Sequence, residues 1–313
     1  MTPGHVTLKT IADAVGVSRT TVSNAYNRPD QLAPELRERI LATAAKLGYA
    51  GPDPAARRLR SGHSGTVGLL LAGGLAPALD DPAAGLLLRG IARAVDAAGL
   101  ALLLVPEHAD GVRDAVVGAL GVCSMPAGHP GVQAALERRL PLVVIDRPRV
   151  PGHAYVGIDE RGGARRAAEH LLALGHRRFA VVCEPDVHRE RLAGYRKALD
   201  GAGAEWARRR LPGALAADPR PTAILAASDR LALGALDAAR AAGLRVPEDL
   251  SVVGFDDLPG AAGSKPPLTT IRQPLLEKGE IAGRLLTAGP TDHAAILPVE
   301  LVVRGSTAPP PAY

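Results

Sequence analysis

The chain has 313 residues, 47% hydrophobic and 22% charged, with a net charge of +5. This length allows two to three ordinary domains with enough apolar content to build their cores. The longest apolar runs are far shorter than the roughly 20 residues that a membrane helix needs, and the polar N-terminus has no apolar signal region. We therefore expect a cytoplasmic protein that does not span a membrane.

Cysteine and histidine provide no basis for a metal site. Cys123 and Cys183 lie inside apolar, strand-like runs, as expected of small buried residues that stay reduced. The nine histidines include no His-x-x-x-His pair, and the sequence has no Cys-x-x-Cys pair; both are spacings that zinc ligands favour. We predict no bound metal and no cofactor.

The positive charge is concentrated at the N-terminus. Residues 1–62 contain nine lysines and arginines against five acidic residues, whereas the rest of the chain contains 28 against 27. A basic headpiece on a nearly neutral body predicts a polyanionic partner for the N-terminal part.

The first 50 residues follow the pattern of three helices joined by tight turns. Thr7 and Ser18 are placed to cap the first two helices, Gly16 ends the first, and Pro34 begins the third. Apolar residues recur at helical spacing on one face of each helix. They are Leu8, Ile11, Ala12 and Val15, then Val22, Ala25 and Tyr26, then Leu36, Ile40, Ala44 and Leu47.

Two amphipathic helices joined by a glycine turn, with a third to complete the core, form a helix-turn-helix unit. The second helix of such a unit fits the major groove of DNA. Its outer face carries Arg19, Thr20, Ser23 and Asn24, with no acidic residue among them. Short polar side chains allow a close approach to base edges, and Arg19 can reach guanine O6 and N7. The alternative is a three-helix bundle with a solvated polar face.

A short basic segment follows at residues 51–65. Asp53 and Pro54 can begin a helix there and Gly62 can end it, with three arginines in between. Because these arginines repel one another, the helix should be marginal until phosphates neutralise them. Leu59 could wedge between base steps from the minor groove and kink the duplex; the alternative is a basic linker.

From Thr66 onward, short apolar runs alternate with amphipathic helical stretches. Strands are predicted at runs such as TVGLLLA from Thr66, SVVGFDD from Ser251 and the late ILPVELVVR. Helices are predicted over 82–98, 161–174, 189–202, 230–242 and 275–288. This alternation predicts parallel sheets covered on both faces. The length exceeds that of one sheet, so we expect two α/β subdomains, with ligands bound at the carboxyl ends of their strands.

Five stretches in the same chain order resemble the lactose-repressor (LacI/GalR) family of bacterial transcription regulators. They are VTLKTIADAVGVSRTTVSNAYN at Val6, RLAGYRKAL at Arg191, AASDRLALG at Ala226, VVGFDDLP at Val252 and PPLTTIRQP at Pro266. The resemblance implies a small all-α helix-turn-helix headpiece and an α/β body of two parallel-sheet subdomains, like that of periplasmic sugar-binding proteins. It implies a DNA-binding headpiece at 1–52, a hinge helix and linker at 53–65, and an effector-binding and dimerisation domain at 66–313.

The resemblance also implies which residues contact DNA. These are Thr7, Arg19, Thr20, Thr21, Ser23, Asn24, Asn27, Ala56 and Leu59. By this resemblance, Arg19 and Thr20 read bases, Asn24 reads a base or a phosphate, and the other headpiece residues position the helix on phosphates. Ala56 and Leu59 match the apolar face of the family's hinge helix, which pairs with the same helix of the second subunit and opens the minor groove. The segment after Tyr49 is one residue longer than the usual hinge.

In the body, the resemblance implies effector contacts. They are Asp81, Arg191, Ser228, Asp229 and Asp256. A guanidinium and carboxylates supply the charge-assisted hydrogen bonds that a polyhydroxylated ligand requires. From the residues alone, Asp229 could instead cap the following helix, Asp256 could hold a turn, and Arg191 could be a surface arginine.

One segment is shorter than in the family. Around residues 204–220 the family normally has a further strand, a loop and the start of a helix, and part of this region forms the pocket wall. The shorter segment puts effector binding in question, whereas DNA binding and dimerisation depend on other parts of the chain.

These features predict a sequence-specific DNA-binding regulator, a repressor, that binds a near-palindromic double-stranded operator as a homodimer and responds to a small sugar-like effector. The alternative is a solute-binding protein of the same fold without a DNA role, which the basic headpiece and the missing signal region argue against. A third possibility, an enzyme, has no support from phosphate-binding or nucleophile-elbow motifs.

Overall fold

The computed structural model describes residues 6–49, 51, 64–184 and 187–311. The chain divides into two compact units, Met1–Ser64 and Gly65–Tyr313. The hinge candidates Ala56 and Leu59 lie outside the described residues.

The N-terminal unit is built from three helices. They are α1 (Leu8–Val15), α2 (Arg19–Asn27) and α3 (Pro34–Lys46), with a 3-10 turn at Pro29–Gln31. The apolar faces predicted from the sequence meet in one small core. Its fully buried members are Ile11, Ala12, Val22, Ala25, Ile40 and Ala44. Leu47, predicted to join them, is 38% exposed; it lies just after the end of α3 at Lys46.

The predicted caps of the first two helices are present. The Thr10 N–H donates to Thr7 Oγ1 at 3.3 Å, and the Thr21 N–H donates to Ser18 Oγ at 3.1 Å. Gly16 ends α1 with a φ of 76°, a left-handed conformation that glycine adopts without steric cost. These caps fix the short turn between α1 and α2, and so fix the first turn of α2.

The body consists of two lobes, each formed around a six-stranded sheet. The first sheet contains β1 (Thr66–Leu71), β2 (Ala101–Val105), β3 (Ala119–Cys123), β4 (Leu142–Ile145), β5 (Ala154–Ile158) and β11 (Ala294–Leu297). Its order is β11-β5-β4-β3-β1-β2, and every neighbouring pair is parallel.

The second sheet repeats this arrangement with one change. It contains β6 (Arg178–Val182), β7 (Glu205–Arg208), β8 (Ala223–Ala226), β9 (Ser251–Asp256), β10 (Thr269–Arg272) and β12 (Glu300–Val302). Its order is β12-β10-β9-β8-β6-β7, parallel throughout except for the antiparallel pair of β10 and β12.

Helices pack against both sheets, as expected for buried parallel strands. Those of the first lobe are α4 (Leu75–Asp80), α5 (Pro82–Ala97), α6 (Ala109–Asp114), α7 (Pro130–Glu137) and α13 (Leu275–Ala288). Those of the second lobe are α8 (Glu160–Ala173), α9 (Arg189–Gly201), α10 (Leu211–Leu215), α11 (Asp229–Ala241) and α12 (Pro259–Gly263).

The chain passes between the lobes three times. It crosses at Asp159 after β5, at Gln273 and Pro274 after β10, and at Pro298 and Val299 after β11. Because the crossings connect strand ends to the other lobe, the carboxyl ends of both sheets face a common cleft.

Helices α5 and α13 approach each other at backbone distance. A Cβ atom at Gly90 would overlap the carbonyl oxygen of Leu276, and one at Gly279 would overlap that of Leu87. At Gly283 a Cβ would lie 2.8 Å from the carbonyl oxygen of Ile91. Only glycine permits so close a contact, so α13 is held firmly to the first lobe.

The segment after β12 completes the second lobe. The Thr269 N–H donates to Ser306 Oγ at 2.8 Å, and this hydroxyl donates to the Val252 carbonyl oxygen at 2.6 Å. His176 Nε2 lies 2.8 Å from the Ala308 carbonyl oxygen. These hydrogen bonds join residues 306–308 to strands β9 and β10 and to the turn before β6.

The two predicted α/β subdomains are therefore present, and each predicted strand run contains a strand. The late run forms two strands, β11 and β12, in different sheets. Sequence reasoning missed β7 and β10, which have only four residues each. The segment around residues 204–220 keeps both a strand, β7, and a short helix, α10, despite its reduced length.

Candidate ligand cavity and candidate DNA interface

The first turn of α2 presents two of the predicted base readers to solvent. Arg19 and Thr20 are exposed, and no hydrogen bond within the described residues engages either side chain. Both follow directly on the Ser18 cap, which sets the direction of the helix. A free guanidinium and a free hydroxyl at a helix start are available to a groove of DNA.

The remaining headpiece candidates are partly engaged by the protein itself. Asn27 Nδ2 donates to the Ser23 carbonyl oxygen at 3.0 Å, and Asn24 Nδ2 donates to Gln31 Oε1 at 3.4 Å. Thr7 is exposed and caps α1. Gln31 was not predicted from the sequence as part of this interface. It follows α2 in the sequence, and only its hydrogen bond with Asn24 connects it to the candidate residues. The predicted DNA contacts of these residues stay predictions.

A cavity of 360 Å³ lies between the two lobes of the body. Its wall contains the residues that follow β1, β3, β4, β6, β8 and β9, together with α4 and α5. Four of the five predicted effector residues line it: Asp81, Arg191, Ser228 and Asp256. The cavity thus lies at the carboxyl ends of parallel strands, where α/β folds bind ligands.

Arg191 on α9 is the central cation of the second-lobe wall. Its Nε donates to Glu160 Oε1 at 2.9 Å, and its Nη1 donates to Asp256 Oδ1 at 3.1 Å and to the Ala227 carbonyl oxygen at 2.6 Å. Its guanidinium carbon lies 3.9 Å from the centre of the Phe255 ring. Burial opposes the charge, but Asp256 and Glu160 outweigh it and raise the pKa of Arg191. The alternative of a surface arginine is therefore wrong.

Asp256 ends β9 with an unusual backbone. Its φ is 120° and that of Asp257 is 56°, values that non-glycine residues rarely adopt. Asp257 is held by Arg272 at 2.7 Å and by Arg304 at 2.7 Å. Burial raises the pKa of Asp256 in spite of the nearby Arg191. Asp256 thus both lines the cavity and belongs to a turn.

Asp229 is the one predicted effector residue that does not line the cavity. It is fully buried, and its carboxylate accepts hydrogen bonds from the Leu258 N–H at 2.7 Å and from the Thr270 hydroxyl. Burial raises its pKa to about 7. Ser228, not Asp229, caps α11, through the Leu231 N–H at 3.3 Å. In this structure Asp229 supports the cavity wall from behind, and its predicted contact with an effector stays a prediction.

Sequence reasoning missed a buried lysine in the first-lobe wall. Lys278 on α13 is 2% exposed, and its Nζ lies 2.8 and 2.9 Å from the two carboxylate oxygens of Asp146. It also donates to Gln273 Oε1 at 3.0 Å. Nothing local marks this lysine as buried, because the carboxylate that pairs with it, Asp146, follows β4 and is 132 residues away in the chain.

The charged groups of the cavity are largely paired with one another. His188 lines it as a neutral imidazole, because burial and the cations Arg191 and Arg147 lower its pKa to about 3. Its Nδ1 accepts a hydrogen bond from the Glu184 N–H at 3.2 Å. Arg230 lies 3.7 Å from Glu184. A cavity of paired charges with hydrogen-bonding edges suits an uncharged ligand rich in hydroxyl groups.

The described part of the chain shows no group of three or more metal-ligating side chains that could hold an ion. None of its helices has the length and apolar character to cross a membrane. Cys123 is buried in the cavity wall, where burial raises the pKa of its thiol to about 12. Cys183 is half-buried.

Comparison with known proteins is consistent across the chain. Residues 7–51 match the bacterial regulatory proteins of the lacI family, and residues 168–307 match the periplasmic binding protein-like domain. An HTH-type transcriptional regulator of Mycobacterium tuberculosis is 41% identical over 98% of both chains.

Solved structures show the same similarity. The lac repressor dimer bound to operator and an anti-inducer has 29% identity and a TM-score of 0.78, over 97% of this chain and 99% of that one. The transcriptional regulator CelR in complex with cellobiose has 31% identity and a TM-score of 0.69, over 96% of this chain and 99% of that one. The predicted fold class is confirmed. The family consists of regulators, not enzymes, and the chain belongs to it: it is a DNA-binding transcription regulator of the lacI family.

Proposed function

We propose that this regulator is a repressor that binds a near-palindromic operator as a homodimer in the cytoplasm and is controlled by a small, uncharged, polyhydroxylated effector. The observation that carries the proposal is the cavity between the lobes, whose wall contains charged and hydroxyl side chains, in a chain that also presents a helix-turn-helix surface. Effector binding that changes lobe closure would alter operator affinity, which is a coupling between two distinct sites.

The DNA half of the proposal is supported by the headpiece. The exposed start of α2 carries an arginine and a hydroxyl that have no hydrogen-bond partner among the described residues, and the basic charge is concentrated in residues 1–62. The similar lac repressor is a dimer bound to operator, and a two-fold dimer reads two half-sites one or more helical turns apart. In this proposal the headpiece spans 1–52, and Ala56 and Leu59 contact the minor groove from the hinge at 53–65.

Replacement of Arg19 by alanine should weaken binding to an operator selected from random duplexes by about 1–3 kcal/mol and relax one base position. The reason is the loss of a bidentate contact to guanine. Fluorescence anisotropy at several salt concentrations would measure it. Arg39→Ala, which removes an exposed arginine of α3, should change the affinity little. If Arg19→Ala keeps the base preference of the parent protein, Arg19 does not read a base.

The effector half is supported by the wall itself. Asp81, Arg191, Ser228 and Asp256 approach one cavity from both lobes, and together they offer donors and acceptors to hydroxyl groups. A cavity is thus present between the lobes although the segment around 204–220 is short. In the similar regulator CelR, the solved complex contains cellobiose.

Calorimetric titration of the full chain with mono- and disaccharides, nucleosides and purines tests this half. We expect saturable binding of at least one sugar-like compound. Asp81→Asn should weaken it by about 1–1.5 kcal/mol, since a charge-assisted hydrogen bond becomes a neutral one. Asparagine also caps helices well, so α5 should stay intact.

Asp80→Asn is the matched control, because Asp80 is exposed and does not line the cavity. It should bind like the parent protein. If no member of the panel binds to the folded chain, control by these effectors is contradicted. A solute-binding role without DNA would instead show ligand binding and no salt-dependent binding to duplex DNA.

A further inference from the structure

The buried lysine of the first-lobe wall is one member of a hydrogen-bonded chain that runs through the cavity wall. The chain begins at Asp146 after β4, passes through Lys278 and Gln273, and continues to Asp256 and Arg191. Arg191 then reaches Glu160 at the start of α8. In order, the six groups are an anion, a cation, an amide, an anion, a cation and an anion. The hydrogen bonds between them connect the first lobe to the second.

Every donor of Lys278 is used in this chain. A buried ammonium is costly unless it is paired and hydrogen-bonded. An ammonium has three N–H donors, and here they serve the two oxygens of Asp146 and Oε1 of Gln273, at 2.8, 2.9 and 3.0 Å. Lys278 is therefore fixed by its partners as well as by the helix that carries it.

Lys278 also determines which way the Gln273 amide points. With Oε1 accepting from the ammonium, the amide NH₂ faces the other lobe, where Nε2 donates to Asp256 Oδ1 at 2.6 Å. The reverse orientation would place two sets of donors against each other and would turn an oxygen toward the carboxylate of Asp256. Removal of the ammonium frees the amide to rotate.

The two ends of this hydrogen-bonded chain of side chains belong to different lobes. Lys278 adjoins Gly279, at which α13 is packed on α5, so its backbone follows the first lobe. Asp256 and Arg191 lie on β9 and α9 of the second lobe. Gln273, in the second crossover, is the only member of this chain of contacts, within the described residues, that bonds to both sides.

We propose that Lys278 is a positioning residue that couples the two lobes, by orienting the Gln273 amide toward Asp256. The inference rests on the proposed function only in assigning an effector to this cavity. An uncharged polyol that bonds to Asp146 or to Asp256 then perturbs the contacts on one side of Gln273, and the lobe on the other side responds. The coupling itself exists without a ligand and can be measured without one.

Hydrogen exchange followed by mass spectrometry on the full, ligand-free chain tests the proposal. In Lys278→Met we expect amides of the second lobe, in peptides covering 189–195 and 251–258, to exchange about threefold faster or more. Arg284→Met is the matched control, because Arg284 is exposed on the same helix. It should leave these peptides unchanged.

A second variant separates coupling from local damage. Gln273→Leu keeps both ion pairs, Lys278 with Asp146 and Arg191 with Asp256, and removes only the link. It should accelerate the same second-lobe peptides, and adding Lys278→Met to it should accelerate them no further. If Lys278→Met does not fold, Asp146→Asn combined with Lys278→Met removes both charges and carries the same expectation.

Two results would overturn the proposal. One is faster exchange confined to the first lobe in Lys278→Met. The other is independent, additive acceleration of the second lobe by the two single variants. Neither result depends on effector titration, so failure of the coupling and failure of the proposed effector role are distinguishable.

Discussion

Replacement of Arg191 by methionine is expected to destabilise the body by about 3–5 kcal/mol. The change leaves Asp256 and Glu160 without their shared cation in a buried wall, and an uncompensated buried charge costs more than the ion pair contributes. The loss of the cation over Phe255 adds to the effect. Chemical unfolding of the full chain at neutral pH, followed by circular dichroism, would measure the free energy of unfolding.

The control for this prediction lies on the same helix. Arg196 is 70% exposed at its side chain and pairs with Asp200 at the surface, where ion pairs contribute little. Arg196→Met should therefore stay within about 0.5 kcal/mol of the parent protein. A similarly small change for Arg191→Met would mean that the stability of the body does not depend on the paired charges of the cavity wall.

The second large effect is expected at the contact of α5 with α13. Gly279→Ala should lower the free energy of unfolding by about 3 kcal/mol, because the new Cβ overlaps the carbonyl oxygen of Leu87 and the helices must separate. The same substitution at Gly85 of α5, where a Cβ meets open space, should stabilise the protein by about 0.4–1 kcal/mol. Opposite signs for one chemical change would establish the backbone contact, and equal effects would contradict it.

Much of the fold was predictable because its long elements carry strong periodic patterns. The helix predicted at 82–98 is observed at Pro82–Ala97, and that predicted at 189–202 is observed at Arg189–Gly201. Strands β7 and β10 were missed, since sequences such as EWAR and TTIR are too short and too polar to show a period.

The site was predictable only where a motif marked it. Arg191 and Asp256 lie in stretches typical of the family and do line the cavity, whereas Asp229 lies in such a stretch but turns into the core. Lys278 was missed for a physical reason. A lysine in an amphipathic helix is normally solvated, and its burial here depends on Asp146, 132 residues away in the chain.

The three crossings have a consequence for synthesis of the protein. The first lobe takes its helix α13 and its strand β11 from residues 275–297, and the second lobe is completed by Ser306 and Ala308. Domains generally fold as units while the chain emerges from the ribosome, but neither lobe can be completed before residue 297 has been translated. A chain that stops anywhere before Ala294 therefore lacks parts of both lobes, so it should fold into neither of them.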